Sequence, residues 1–230
     1  MLKRSLLIIL VAMLLIACTG CITINQAPKQ TSTTLPSTTT TVTASSNAQQ
    51  TVTIPSTGAA YIVEDANNSA DPQGLRGQNY STQDDINIKY QWDVTGTEKI
   101  ISVGLVQFDL SSLNGKNIKS ATLQMYVTSD SLTQAARLID ISLVTGTWNE
   151  QTVTFNNKPA WSANSITSCV VSGAGVWSSW DVTSSVAAAI NNGLVSYAAG
   201  LDTMNDKSQE NVLYASDKVS ATAPRLIITY

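Results

Sequence analysis

From residue 51 to the C-terminus, short runs of alternating or β-branched residues are separated by polar turns, and only one stretch has helical spacing. Eleven runs read as strands: 60–63, 86–90, 101–108, 120–127, 138–144, 152–155, 168–171, 176–180, 196–201, 211–215 and 225–230. So many short strands predict an all-β sandwich or barrel. The clearest run is 121–127, ATLQMYV, with apolar odd positions and mostly polar even ones, the pattern of a half-buried strand. The exception, residues 181–193, reads as one short helix. Thr183 or Ser184 is the expected cap, three alanines favour the interior, and Gly193 supplies the left-handed stop. Val182, Val186 and Ile190 fall on one face. The apolar run ending at Tyr230 predicts a last strand internal to a sheet.

Composition narrows the chemistry. Histidine is absent, which removes Ser-His-Asp triads and imidazole metal sites. Lys+Arg is 13 against Asp+Glu 16, and that balance excludes the basic face a nucleic-acid binder needs. Only 13% of residues are charged, so solubility rests on Ser, Thr, Asn and Gln. Three cysteines, two of them near the N-terminus, cannot build a disulfide framework or a zinc cage. Cys169 is expected as a small buried residue.

The first residues read as an address. Lys3 and Arg4 precede 13 uninterrupted apolar residues, Leu6 to Cys18, shorter than the roughly 18–20 that cross a bilayer. The run ends Leu15-Ile16-Ala17-Cys18, which resembles the lipobox of lipoprotein signal peptides. The resemblance implies removal of residues 1–17 and a diacylglyceryl thioether on Cys18. Cys21 is a weaker second candidate, and an uncleaved membrane anchor is the alternative. Residues 18–55 then read as anchor attachment and stalk: 12 of the 16 residues in 31–46 are Ser or Thr. Such a run has too little apolar surface to offset its ordering entropy and is expected to be a disordered linker. The globular module is expected over 56–230.

Several blocks of that module resemble a known family. Residues 106–113, VQFDLSSL, lead into 118–127, IKSATLQMYV; then come 147–159, TWNEQTVTFNNKP, Trp180-Asp181-Val182-Thr183, and 223–230, APRLIITY. In this order they resemble the DNRLRE, or disaggregatase-related, domain, which overlaps carbohydrate-binding module family 96. The resemblance implies a jelly-roll β-sandwich and a non-catalytic role on cell-surface and polysaccharide-active proteins, some of which bind acidic polysaccharides such as alginate. One departure bears on ligand choice: many relatives carry a basic residue before the FDLSS block, where this chain has the uncharged 101–107, ISVGLVQ.

Within the module, Tyr90 and Trp92 share a strand face, with Asp84, Asp85, Lys89 and Asp93 nearby. Those charges predict an exposed aromatic pair able to stack on a sugar ring, against the plainer expectation of hairpin packing. Arg76, Lys89 and Lys99 are candidate contacts for an anionic sugar, against the plainer expectation of solvated surface charges. Trp148 and Trp180 read as packing residues. Glu64, Asp65, Asp84 and Asp85 are candidate ligands for a structural calcium ion, with Asp202, Asn205 and Asp206 a lesser set. Asn67 and Asn79 open N-glycosylation sequons. No Asp or Glu pair stands in a recognisable acid/base frame, so an enzyme is not expected. The expected function is binding of an extracellular polysaccharide at a cell surface; the alternative is a structural surface or matrix protein that makes protein contacts and binds no sugar.

Overall fold

The computed structural model describes residues 49–66, 70–92, 99–132, 137–171, 173–201 and 209–230. The expected lipid-bearing Cys18, Cys21, the signal and most of the stalk lie outside these residues, as do Asn67, Asp93, Asp202, Asn205 and Asp206.

Among the described residues there are eleven strands: β1 (Thr51–Pro55), β2 (Gly58–Asp65), β3 (Asp85–Trp92), β4 (Lys99–Asp109), β5 (Ser120–Ser131), β6 (Leu138–Leu143), β7 (Thr167–Val170), β8 (Trp177–Asp181), β9 (Leu194–Leu201), β10 (Gln209–Ala215) and β11 (Arg225–Thr229). They join one antiparallel sheet in the order β1-β11-β5-β10-β3-β4-β9-β6-β7, with β2 on β4 and β8 on β5. The sheet curls into two layers, one around β5 (β1, β11, β5, β8, β10, β3) and one around β9 (β2, β4, β9, β6, β7). This is the expected all-β jelly-roll sandwich with one short helix.

Strand periodicity builds the core. β5 alternates as predicted: Ala121, Leu123, Met125 and Val127 are buried, while Thr122, Gln124 and Tyr126 are half-buried on the outer face. Phe108, Val106, Tyr197, Ile139 and Ile141 of the β9 layer meet Ile86, Ile88, Val212, Tyr214, Leu226 and Ile228 of the β5 layer in a single cluster. Trp180 fastens the layers: its ring is 1% exposed, and Nε1 donates to the Ile139 carbonyl at 3.0 Å.

β4 is the corner strand. Its first half pairs with β3, and from Gly104 onward it pairs with β9. A Cβ on Gly104 would stand 2.6 Å from Ile86 Cγ2, so only glycine lets β3 pass beneath.

The helix, α1 (Thr183–Ala189), carries the expected buried face of Val182, Val186 and Ile190. Its start differs from expectation. Neither Thr183 nor Ser184 caps it. Instead Asp181 accepts from the Thr183 hydroxyl at 2.6 Å and amide at 2.9 Å, bonds that hold its carboxyl below the usual carboxylate range. Gly193 ends the following 3-10 turn with φ 71, as its position predicted.

Residues 152–155 form no strand. Val153 and Phe155 alternate because they pack on the outside of the β9 layer, in a second cluster with Ala60, Ile62, Leu105, Val144, Ala198, Trp148 and Trp161. Side-chain amides serve the loop backbone in place of a ladder. Asn79 Nδ2 donates to the Glu150 and Val153 carbonyls at 2.8 and 2.7 Å, and Asn157 Nδ2 to Thr152 at 2.9 Å. The amide nitrogen of the Asn79 sequon is thus committed to structure. The strand not anticipated is β1, which edges the sheet beside β11; β11 is internal, as its apolar run predicted.

Gly104→Ala is expected to overpack the corner and destabilise the fold by about 1–3 kcal/mol. Denaturant titration checks this, and an unchanged midpoint would show that Ile86 can move aside.

Candidate functional site

On strands, residues directly opposite each other share a face. The outer face of the β5 layer therefore carries Asp85, Asn87, Lys89 and Gln91 of β3, Asn211 and Leu213 of β10, Thr122, Gln124 and Tyr126 of β5, Trp177, Ser179 and Asp181 of β8, and Arg225 and Ile227 of β11. A register shift beside Thr128 keeps Val127 inward while Ser129 and Ser131 remain outward.

At one end lies an aromatic and guanidinium platform. The Arg225 guanidinium carbon is 3.8 Å from the Trp177 ring centroid, and Tyr126 meets Trp177 edge-on at 5.3 Å. Arg225 Nε donates to Gln124 Oε1 at 3.0 Å, and Gln124 Nε2 donates to Ser179 Oγ at 3.1 Å. Stacking and this bond fix the guanidinium plane. Among the described residues Arg225 has no carboxylate partner, which leaves its remaining N–H donors free of an ion pair.

At the other end is a cleft of about 330 Å³, lined by Tyr61, Tyr80, Asn87, Lys89, Gln91 and Ser102 among others. It opens where β3 leaves β4. Tyr61 and Tyr80 stack with centroids 4.5 Å apart and planes 17° from parallel. Burial pushes both phenols above the ordinary tyrosine value, and the neighbouring ring, Asp85 and Asp71 add to the effect. Lys89 has no ion-pair partner among the described residues. Asn87 Oδ1 is buried without a hydrogen-bond partner there. The cleft thus offers aromatic faces, one uncompensated cation and an open amide acceptor, the donor set that holds hydroxyl-rich or acidic small groups.

The candidates named from sequence divide. Lys89 lines the cleft. Arg76 lies beside it, engaged with protein: Nη2 donates to the Asp65 carbonyl at 2.6 Å and lies 3.8 Å from Glu64. Asp71 presents this arginine, its carboxylate accepting from the amides of Leu75 and Arg76 at 2.9 and 3.0 Å. Tyr90 is not exposed. It is 5% accessible and points inward with Ile86 and Ile88, because it has their parity on β3. Trp92 is half-buried on that same side of β3, and Lys99 Nζ lies 5.2 and 5.4 Å from the Tyr90 and Trp92 rings. The expected exposed aromatic pair is therefore a packed one with a lysine over it.

The acidic residues do not converge. Asp65 lies in register with Ile100, and Ile100 with Gln91, whereas Asp85 is six residues back along β3, about 20 Å away at the rise of a strand. Glu64 faces Arg76, and Asp85 accepts from the Thr128 hydroxyl at 2.7 Å. Among the described residues no three of His, Cys, Asp and Glu gather to hold a metal ion. Cys169 is half-buried rather than buried, and desolvation raises its thiol pKa.

Tyr126, Trp177 and Arg225 were missed because three strands far apart in sequence bring them together. The available signal was a large aromatic at the outward phase of an alternating run.

A rigid β-sandwich that presents rings, amides and cations on a sheet face has the build of a ligand-binding module. Residues 66–230 match carbohydrate-binding module family 96, and the chain belongs to that family. Comparison with curated proteins gives no match.

Folded-state phenols with raised pKa hold protons that the unfolded chain releases, so their stabilisation is complete below the ordinary value of 10.0 and is lost as pH rises through the folded values. Tyr61 and Tyr80 are expected to ionise later than tyrosine in the unfolded chain, and Tyr80→Phe to remove one late-ionising group from the phenolate absorbance titration. Because burial also raises Tyr197 and Tyr214 in the core, a late-ionising absorbance left unchanged by Tyr80→Phe would contradict the packing of the cleft.

Proposed function

We propose that this chain is a non-catalytic module that binds an extracellular polysaccharide along the outer face of the β5 layer and is held at the cell membrane by a lipid on Cys18. The observation that carries the reading is Arg225. A guanidinium stacked on Trp177 and anchored by Gln124, with donors left over, is preorganised for an oxygen acceptor. Family membership supplies carbohydrate as the ligand class. Tyr126 and the Tyr61–Tyr80 pair supply apolar ring faces on which a sugar can rest. Lys89 gives a second cation for carboxylate or sulfate groups.

Lipid attachment rests on the Leu15-Ile16-Ala17-Cys18 pattern and places the module outside the cell, behind its Ser/Thr-rich stalk. A structural surface protein is the second reading. Ile166, Val170 and Val176, 42%, 46% and 39% exposed, lie on or beside the edge strands β7 and β8 and suit protein contact.

Arg225→Ala is expected to weaken binding about 10- to 100-fold, the scale of one charge-assisted hydrogen bond. Affinity electrophoresis against polyuronate, sulfated and neutral polysaccharides measures it. Equal retardation of the folded variant would shift the case to protein contact. Separately, Cys18→Ser is expected to abolish incorporation of a labelled fatty acid in the expressing cell; retained label would move the anchor to Cys21.

A further inference from the structure

The opposite side of the sandwich carries a groove that the platform and the tyrosine cleft do not use. Three clefts of about 620, 360 and 280 Å³ meet at Trp148, which walls all of them. The first two share Thr147, the first and third share Gln107, and the last two share Asn149. They run over the outer face of the β9 layer, from Ser196 of β9 and Asn192 of the 3-10 turn after α1 to Thr57 and Gln151.

The polar lining is almost entirely neutral. Gln107 Oε1 accepts from Ser196 Oγ at 3.3 Å, which orients the amide. Among the described lining residues the one acid, Glu150, is paired: Lys218 Nζ lies 2.5 Å from its Oε1 and 3.0 Å from Asp217, and the Ala59 amide donates to the same Glu150 oxygen at 3.4 Å. Among the described residues, no lysine or arginine lines any of the three clefts. Such a lining sets no unpaired cation, among the described residues, against a carboxylate or sulfate.

Trp148 is the second observation. Its ring packs beside Gly58, where even a Cβ would stand in ordinary contact, 3.7 Å from Trp148 Cη2. Its Nε1–H is buried and has no acceptor among the described residues. An unpaired buried donor is costly, and an incoming hydroxyl or ring oxygen that reached it would relieve the cost. Side-chain amides and hydroxyls beside an indole wall form the donor and acceptor set for an uncharged sugar.

We propose that this groove is a second carbohydrate site, selective for an uncharged oligosaccharide, on the face opposite Arg225. It rests on the reading of the chain as a sugar binder but not on where the first sugar binds. Two opposed sites let one module engage two glycan chains, or two segments of one chain, with the avidity that simultaneous engagement brings.

The test is two-dimensional NMR of the isotopically labelled chain with the Trp148 indole N–H assigned. Neutral linear hexasaccharides of glucose, xylose and mannose are titrated separately, alongside an oligouronate. The expected result is a shift of the Trp148 indole signal with at least one neutral hexasaccharide. Its affinity should be unchanged by added salt and by Arg225→Ala, and at least tenfold weaker in Gln107→Ala/Asn192→Ala, which spares the indole and the core. A Trp148 signal unmoved by every neutral hexasaccharide overturns the proposal. So does neutral binding that Arg225→Ala abolishes and the double variant leaves intact. An oligouronate response at Arg225 beside a silent Trp148 sinks this site and leaves the proposed function standing; no response to any sugar sinks both.

Discussion

The sandwich depends on one strand serving two layers. β4 starts against β3 and finishes against β9, and the change of partner occurs where Ile86 fills the space a side chain at position 104 would need. Close packing leaves no slack there, so a methyl group is already too much. The same corner opens the tyrosine cleft, since Tyr61, Ser102 and Lys89 come to one face only while β2, β4 and β3 run side by side. Architecture and candidate site thus share a cause. Trp180 completes the arrangement from the far side by tying β8 to β6, strands of different layers.

The linings of the candidate sites on the two outer faces contrast electrostatically. The β5 layer carries Lys89 and Arg225 without carboxylate partners among the described residues, and the β9 layer carries amides and hydroxyls with its one cleft acid paired to Lys218. A chain with so few charges can place them with effect. Attraction of an anionic ligand to the first face weakens with salt, while hydrogen bonding on the second does not. The family's carbohydrate role is compatible with both faces, and their chemistry separates the ligands each can take.

Where local period and tertiary role agreed, the fold was legible in the sequence. The alternation of β5, the valine face of α1, Gly193 and the internal last strand all followed from spacing. Residues 152–155 misled because alternation records burial of one side, and Val153 and Phe155 are buried by lying across a sheet rather than within it. β1 escaped notice because TVTIP continues a Ser/Thr-rich region and ends in proline, as an edge strand can. Of the proposed contacts, Lys89 lines the cleft, while Tyr90 follows the plainer expectation of packing. The charges at 84, 85 and 89 suggested exposure, but Tyr90 keeps the inward parity of Ile86 and Ile88. Trp177 and Arg225 stand 48 residues apart in number and meet only through β5, which pairs with both their strands. No local window contains that information.

The central claim is that a glycan rests on the Arg225–Trp177–Tyr126 platform. A crystal structure of the chain with an oligosaccharide of whichever polysaccharide it retains tests this most directly. The account predicts sugar density on the outer face of the β5 layer, with a sugar oxygen within hydrogen-bond distance of the Arg225 guanidinium. A bound oligosaccharide that leaves this face bare, with Arg225 still stacked and unliganded, would contradict it.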